Sequence, residues 1–330
     1  MDLLILGGTG FLGRHLVEAA LSRGHRITIF NRGQHYPELF PSVEKLRGDR
    51  NGDLAALQGS QWDAVIDTCA RIPRVVNLAA TLLAKAVQHY TFISSISVYV
   101  DPTEPEIDES APLSTLEDET IEEVRAETYG ALKALCEQAA EDAIPGRVLV
   151  IRPGLIVGPY DSSDRFTYWP HRVAEGSEIL APGDPEQNIQ FIDVRDIAAW
   201  TVSMVEARQI GIYNATGPKG SLTMQECLQT CKAVTESDAQ FVWVSEEFLL
   251  EQKVEPYTEV PLWIPRAYAN RVSCAKALEL GLTFRPLTTT VKDTLLWDAT
   301  RVPAEPLKAG LNADKEQKLL KIWNNQSNVS

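Results

Sequence analysis

A tyrosine and a lysine spaced one helical turn apart are the residues of this chain best suited to acid–base chemistry. Of its 9 tyrosines, only Tyr129 is followed four residues later by a lysine, Lys133. On a helix this spacing places both side chains on one face. An ammonium group beside a phenol lowers the phenol pKa from about 10 towards the neutral range, where general acids and bases operate. The alternative interpretation is a solvated pair on a surface helix.

Three serines follow a short apolar segment upstream of this pair. Ser94, Ser95 and Ser97 stand at or just after the strand predicted for residues 90–94. A hydroxyl group at the end of a strand can hydrogen-bond a reacting oxygen, but it can equally satisfy the backbone of a turn. The chemistry of the residues alone leaves the three serines equivalent.

A glycine-rich loop near the N-terminus predicts a dinucleotide site. It follows an apolar strand and opens a helix, and it consists of Gly7, Gly8, Thr9, Gly10, Phe11, Leu12 and Gly13. Gly7 permits a tight turn, Gly10 lets the backbone approach a pyrophosphate, and Gly13 lets helix and strand pack closely. The helix N-terminus offers free N–H groups to the phosphates. The alternative is a glycine-rich turn that binds nothing.

The end of the second predicted strand bears on the choice between NADP and NAD. Residues 27–30 are followed by Asn31, Arg32 and Gly33, without the carboxylate that would bind the adenosine ribose. The guanidinium of Arg32 suits a 2′-phosphate. We therefore expect NADP, with NAD as the alternative, and the competing interpretation of Arg32 is a solvated surface residue.

Strands and helices alternate along the part of the chain that must position these groups. Predicted strands cover residues 2–6, 27–30, 64–67, 90–94, 148–152, 190–194 and 211–215, and predicted helices cover residues 14–22, 75–88, 127–143, 196–207 and 314–323. This order predicts an α/β fold, a Rossmann-type doubly wound parallel sheet with a smaller C-terminal region.

The same pattern predicts the domains. Residues 1–160 form the dinucleotide-binding domain, to which residues 189–219 return. Residues 161–188 and 220–310 form a smaller substrate or cap domain, and residues 311–330 form a helical tail whose end, residues 324–330, is disordered.

In order along residues 1–220, these motifs resemble the short-chain dehydrogenase/reductase superfamily, and specifically its extended and atypical branch, the NAD-dependent epimerase/dehydratase family. Residues 92–99 are similar to its Ser-Ser-x-x-Val-Tyr segment, and residues 152–159 to the segment that closes over the nicotinamide. Residues 191–198 resemble its strand-to-helix signature, and residues 129–133 its Tyr-x-x-x-Lys pair.

The resemblance implies a catalytic set of Ser95, Tyr129 and Lys133. Tyr129 would exchange a proton with the substrate oxygen, Ser95 would hydrogen-bond that oxygen, and Lys133 would hold the nicotinamide ribose. The implied cofactor contacts are residues 7–13 together with Asn31, Arg32, Asp49, Arg50, Cys69, Ala70, Tyr129, Lys133, Pro153 and Gly154. Family members contact the adenine amine through an acidic residue in the place of Asp49, which can also be an ordinary turn residue.

Two positions depart from the family pattern. Val75 stands where the family usually has an asparagine that supports a proton relay, and Asn77 is two residues away. Ile189 stands where UDP-sugar epimerases have an arginine that pairs with the substrate diphosphate. That substitution removes charge-assisted bonds worth about 1.5–3 kcal/mol each. We therefore expect a small carbonyl or hydroxyl substrate, for which Arg165, His171 and Arg172 are candidate polar contacts.

Composition restricts the partners. The net charge of −14 disfavours nucleic acids and anionic membranes. No apolar run approaches the roughly 20 residues of a membrane span. The 5 cysteines include no Cys-x-x-Cys pair, so we expect no metal, and we interpret Cys227 and Cys231 as buried thiols.

We thus expect a cytoplasmic NAD(P)-dependent oxidoreductase that acts on a small molecule. One alternative is an epimerase or dehydratase that uses the cofactor transiently. Another is a dinucleotide sensor or RNA-binding regulator without catalysis, since the superfamily includes plastid stem-loop RNA-binding proteins. Family members often form dimers, so the resemblance implies a homodimer. The sequence itself does not determine the oligomeric state.

Overall fold

A computed structural model describes residues 1–100, 106–265, 271–301 and 306–327 and divides them into two compact units. Unit 1 comprises Met1–Gly154, Val194–Gly217 and Val272–Thr283. Unit 2 comprises Leu155–Asp193, Pro218–Arg271 and the chain from Phe284 onwards. Unit 1 contains all the residues that the sequence predicts for catalysis and cofactor binding.

The strands are β1 Asp2–Leu6, β2 Arg26–Asn31, β3 Glu44–Arg47, β4 Trp62–Asp67, β5 Val87–Ile93, β6 Glu106–Ile107, β7 Val148–Pro153, β8 Leu155–Val157, β9 Glu178–Pro182, β10 Phe191–Asp193, β11 Gly211–Ala215, β12 Gln240–Val244 and β13 Arg271–Val272. The helices are α1 Phe11–Ser22, α2 Pro73–Leu83, α3 Ala126–Ala143, α4 Tyr168–Ala174, α5 Val194–Glu206, α6 Met224–Thr235, α7 Glu246–Glu251, α8 Ala275–Glu279, α9 Leu287–Asp298 and α10 Ala313–Ser327. Short 3₁₀ turns occupy Ala55–Leu57 and Ile96–Val98.

Unit 1 is built on a parallel seven-stranded sheet in the order β11-β7-β5-β4-β1-β2-β3. β1 pairs with β2 on one side and with β4 on the other, so the direction of strand succession reverses beside β1. In sheets of this type, ligands bind at the carboxyl ends of the strands next to the reversal. The predicted α/β, Rossmann-type fold is confirmed.

Helices on both faces of the sheet explain why β1 is apolar from Leu3 to Leu6. The four residues from Leu3 to Leu6 are completely buried. A strand in an antiparallel sheet with one wet face would alternate, whereas a parallel strand covered on both faces does not. α2 packs on α3, and α1 packs on α5. Each fully buried leucine contributes about 1.5–3 kcal/mol, so this core holds the strand ends firmly.

Unit 2 has its own core, in which Trp169 and Trp263 are fully buried. Leu319 and Leu320 of α10 belong to that core. The predicted tail is therefore part of the unit because its helix has an apolar face. The sequence predicts disorder for residues 324–330, but residues 324–327 are helical because α10 continues to Ser327. Residues 328–330 lie outside the described residues.

The unit boundaries also differ in detail from the predicted ones. Val272–Thr283 returns to unit 1, where the indole of Trp200 donates to the Leu280 carbonyl at 3.1 Å. The helix predicted for residues 75–88 ends at Leu83, because Val87 already begins β5 and that strand pairs with β4 and β7. Apolar residues at the end of a helix and at the start of a buried strand look alike in sequence.

Candidate active site

The glycine loop has the backbone that a pyrophosphate cradle requires. Gly7 and Gly8 have φ angles of +115° and +82°, a region that favours glycine. A Cβ at Gly13 would lie 2.6 Å from the Gly8 nitrogen, so this close approach also requires glycine. A Cβ at Gly10 would meet nothing within 4 Å in the described chain. The loop is thus closed on the protein side and open at Gly10, which fits a bound dinucleotide.

Asn31 braces this loop from the end of β2. Its Nδ2 donates to the Gly7 carbonyl at 3.1 Å and to Thr9 Oγ1 at 3.2 Å. Its Oδ1 accepts from the backbone nitrogen of Gly33 at 2.9 Å. Asn31 therefore stabilises the loop conformation, and both hydrogens of its side-chain amide are used in these bonds.

Two arginines flank the end of β2, and the sequence analysis identified only one of them. Arg32 is exposed. Arg47, the last residue of β3, lies beside Asn31 in the parallel register and donates to its Oδ1. A Cβ at Gly33 would lie 2.9 Å from the Arg47 guanidinium carbon. The signal for Arg47 was its position at a strand end directly before Gly48 and Asp49.

Asp49 and Arg50, both predicted cofactor contacts, make protein contacts. Asp49 Oδ1 accepts from the Asn51 nitrogen at 2.9 Å, as in an ordinary turn. The guanidinium of Arg50 donates to Asp67 Oδ2 at 2.6 Å, and the Tyr90 hydroxyl donates to the same oxygen at 2.7 Å. Burial opposes the charge of Arg50, but Asp67 outweighs this effect and raises the Arg50 pKa. Arg50 thus anchors its loop to the end of β4.

Lys133 is buried at the centre of the site, with only 3 % of its surface exposed. Its Nζ donates to the Ile93 carbonyl at 2.7 Å and to the Ala70 carbonyl at 2.9 Å, and it lies 4.1 Å from the centre of the Phe92 ring. Burial lowers the Lys133 pKa to about 8, although nearby acidic groups, including Asp67, oppose the shift. The interpretation of a solvated surface lysine is therefore wrong.

Cys69 and Ala70 follow the end of β4 and connect the glycine loop with this lysine. Cys69 is exposed, and its Sγ would lie 3.8 Å from a Cβ at Gly7. Ala70 contributes the carbonyl that Lys133 binds. Both residues thus lie at the reversal point of the sheet, and their contact with a cofactor stays a prediction.

Tyr129 lies one turn before Lys133 on α3, half-buried beside a cavity of about 360 Å³ that Ser97 and Arg125 also line. A Cβ at Gly130 would collide with the Ser97 carbonyl oxygen. This glycine therefore allows α3 to pack directly against the turn that carries the serines.

The three serines have different surroundings. Ser94 is buried, and its hydroxyl donates to the Glu137 carboxylate. Ser95 Oγ accepts from the Ser97 nitrogen at 3.1 Å and donates to Ser97 Oγ at 3.0 Å. Ser94 is thus occupied inside the protein, whereas Ser95 and Ser97 lie in the turn against which α3 packs.

Pro153 ends β7 next to β11, and Gly154 directly follows it. The Gly154 nitrogen donates to the Ala215 carbonyl at 3.2 Å, and a Cβ at Gly154 would collide with Thr216 Oγ1. The backbone here passes too close to its neighbour for any side chain.

The family model described as NAD dependent epimerase/dehydratase family matches residues 3–215, from β1 to the end of β11. The chain belongs to this family. The predicted resemblance is confirmed, and with it membership of a family of NAD-dependent enzymes. The residues of unit 2 that follow β10 all lie outside the matched residues.

Curated relatives of this family member include a reductase and a chloroplast stem-loop binding protein. It is 33 % identical over 180 residues to 2-alkyl-3-oxoalkanoate reductase of Stenotrophomonas maltophilia, covering 49 % of the chain and 52 % of that protein. It is 25 % identical over 236 residues to chloroplast stem-loop binding protein of 41 kDa b of Arabidopsis thaliana, covering 66 % of the chain and 59 % of that protein. The chain thus spans little more than half the length of these relatives.

Solved structures support the fold of this epimerase/dehydratase family member. A UDP-glucose 4-epimerase superposes with a TM-score of 0.70 at 16 % identity, covering 93 % of the chain and 100 % of that protein. The UDP-glucuronic acid 4-epimerase of Bacillus cereus in complex with NAD gives 0.68 at 17 % identity, covering 90 % and 98 %. At these identities the likeness concerns the fold alone.

The candidate polar substrate residues of unit 2 are engaged within that unit. His171 Nδ1 lies 2.6 Å from Asp298 Oδ2, and Arg172 Nε donates to Glu316 Oε2 at 2.8 Å. Arg165 lies 4.8 Å from the centre of the Tyr257 ring. Ile189 is buried, so the position of the expected diphosphate-binding arginine holds an apolar side chain in the core.

Within the described ranges, no helix is long and apolar enough to cross a membrane, and no three His, Cys, Asp or Glu side chains cluster as a metal site. Cys227 and Cys231 lie buried in α6 as free thiols.

Proposed function

We propose that this family member is an NADP-dependent oxidoreductase that interconverts a small carbonyl compound and its alcohol. The observation that carries the proposal is the buried Lys133, one turn from Tyr129 and hydrogen-bonded at the strand ends beside the glycine loop. A lysine held in this way costs folding free energy through desolvation, so a catalytic role accounts for its presence.

The proton chemistry belongs to Tyr129. In the reductive direction its phenol donates a proton to the carbonyl oxygen, and in the oxidative direction its phenolate removes the proton from the alcohol. The ammonium of Lys133 favours the phenolate and holds the nicotinamide ribose, while Ser95 donates a hydrogen bond to the reacting oxygen. The bound nicotinamide supplies or accepts the hydride.

Arg32 and Arg47 support NADP over NAD. Both are exposed at neighbouring strand ends, and the Arg47 guanidinium lies beside Gly33. Two forked cations suit the 2′-phosphate of NADP, while no carboxylate follows β2 to bind the ribose hydroxyl of NAD.

The buried Ile189 argues against a nucleotide-sugar substrate, because a diphosphate would lack a cationic partner there. The relative named 2-alkyl-3-oxoalkanoate reductase supports a small ketone instead. We place the enzyme in the cytoplasm, a choice that its five free thiols support, and a homodimer is its proposed assembly.

Substitution of Tyr129 with phenylalanine tests the mechanism. With NADPH and a panel of 3-oxoalkanoates, the Tyr129→Phe variant should lose at least about 100-fold in kcat while the Kd for NADPH stays within about twofold. Tyr213→Phe is the matched control, because that hydroxyl donates to the Ile210 carbonyl in a surface turn. Equal turnover by wild type and the Tyr129→Phe variant would refute the assignment.

The alternatives have distinct outcomes in the same preparation. A dinucleotide that survives purification, without net consumption of NADPH, would indicate an epimerase or dehydratase. Retention of a stem-loop RNA on a filter, weakened by salt, would indicate the RNA-binding alternative, which fits a relative named as a stem-loop binding protein.

A further inference from the structure

A buried ion pair of unit 1 has no role in the chemistry described so far. Arg152 of β7 donates from Nε to Glu137 Oε1 at 2.9 Å and from Nη2 to Oε2 at 2.6 Å. Only 1 % of Arg152 and 6 % of Glu137 are exposed. Glu137 also accepts a hydrogen bond from the Ser94 hydroxyl. One carboxylate thus binds Arg152 of β7 and Ser94, which directly follows β5.

The elements that this carboxylate joins are those that carry the proposed catalytic groups. On α3, Tyr129, Lys133 and Glu137 are spaced four residues apart and share one face. Ser94 directly precedes Ser95, and Arg152 directly precedes Pro153 and Gly154. A shift of Glu137 would therefore move α3 relative to both strand ends.

The connection continues beyond the ion pair. Arg152 Nη1 donates to the Tyr99 hydroxyl at 3.0 Å, and that hydroxyl donates to Asn214 Oδ1 at 2.6 Å. The Asn214 amide donates to the Ser273 carbonyl at 3.0 Å. These bonds leave the Arg152 side chain little conformational freedom. The contacts of Arg152 with residues beside β7 and β11 therefore determine where Glu137 lies.

A pair of apolar residues could fill this space, and such replacements of buried ion pairs are often neutral or stabilising. Stability alone therefore does not explain why the pair is present. We propose that Glu137 and Arg152 are positioning residues, which hold Tyr129 and Lys133 of α3 in register with Ser95 and with the Pro153–Gly154 segment. The inference rests on the proposed function, because it assigns the positioned groups their roles.

A paired replacement separates positioning from stability. Glu137→Gln alone should lower both Tm and kcat, because it leaves Arg152 charged and buried without its partner. The double variant Glu137→Leu/Arg152→Met should recover most of the Tm. Its kcat with NADPH and 3-oxoalkanoates should nevertheless stay at least tenfold below wild type, with KM and the Kd for NADPH within twofold. Recovery of kcat together with Tm would overturn the proposal.

Leu57→Ala is the control for stability alone, because Leu57 is an apolar residue buried in the Ala55–Leu57 turn and has no part in the hydrogen bonds of the pair. It should lower Tm and leave kcat unchanged at temperatures well below the transition. A decrease in kcat equal to that of the double variant would show that loss of stability explains the effect.

Hydrogen exchange tests the positioning without a substrate. In the double variant, the amides of residues 94–98 and 129–137 and those of Arg152 and Gly154 should exchange at least tenfold faster, and those of β1 and β2 should not change. Unchanged exchange at these three segments would also overturn the proposal. Failure of the proposed function is recognised separately, by normal turnover of the Tyr129→Phe variant.

Discussion

The two ends of the dinucleotide site hold their cations in opposite ways. At the proposed adenosine end, Arg32 and Arg47 are exposed at the ends of β2 and β3. At the proposed nicotinamide end, Lys133 is buried under two backbone carbonyls. Exposed guanidinium groups offer a forked set of donors and a positive charge that can select a phosphate. A buried ammonium has a lowered pKa and can take part in proton chemistry. The difference suggests that one end selects the cofactor and the other supports the reaction.

The pH dependence of stability should separate the two ends most clearly. The Lys133 pKa is lowered from 10.5 to about 8 in the folded protein. Burial of its charge therefore lowers the free energy of unfolding by the full amount below pH 8, and this loss disappears as the pH rises to 10.5. Between these values the unfolded chain binds more protons, so the free energy of unfolding gains up to about 3 kcal/mol from this residue.

Urea unfolding of wild type and the Lys133→Met variant measures this contribution. Other groups titrate in both proteins, so the difference between their free energies of unfolding isolates Lys133. This difference should shift in favour of wild type from pH 8 to pH 10.5. A constant difference would mean that Lys133 titrates normally and that the two ends do not differ in this respect.

Removal of the exposed arginines should have a smaller effect, confined to the affinity for the cofactor. Arg32→Ala and Arg47→Ala should each weaken NADPH binding by about 10- to 100-fold, the value of a charge-assisted bond, and leave NADH binding unchanged. Isothermal titration at low and high salt measures both affinities. Arg26→Ala is the control, since Arg26 pairs with Asp2 at the opposite end of β2. Equal losses for NADPH and NADH would show that these residues do not select the 2′-phosphate.

The sequence predicts the part of the site that depends on local geometry. The bounds of β1 and β11 agree with the structure, and the glycine loop has the expected positive φ angles at Gly7 and Gly8. Strand–turn–helix motifs of this kind are determined by neighbouring residues, since a turn and a helix start leave few backbone alternatives.

The remainder depends on contacts between distant segments. Arg47 reaches Asn31 only through the register of β2 and β3, and Glu137 reaches Arg152 only through the packing of α3 on the sheet. The ion pair of Arg50 was not predicted for the same reason, because its partner Asp67 lies on another strand. Nothing in the spacing of these residues along the chain reveals such pairs. Burial of Lys133 likewise follows from packing and not from the Tyr-x-x-x-Lys spacing.

The most direct test of the account is a thermal melt of the protein with NADPH and with NADH. A ligand at 100 times its Kd should stabilise the folded state by about 2.7 kcal/mol, so NADPH should raise Tm by several degrees and NADH by less. Gly10→Ala should leave the Tm of the free protein unchanged, because a Cβ there meets nothing within 4 Å in the described chain, and should abolish the NADPH shift. If neither dinucleotide raises Tm, the glycine loop is not a cofactor cradle, and the proposed oxidoreductase activity is contradicted.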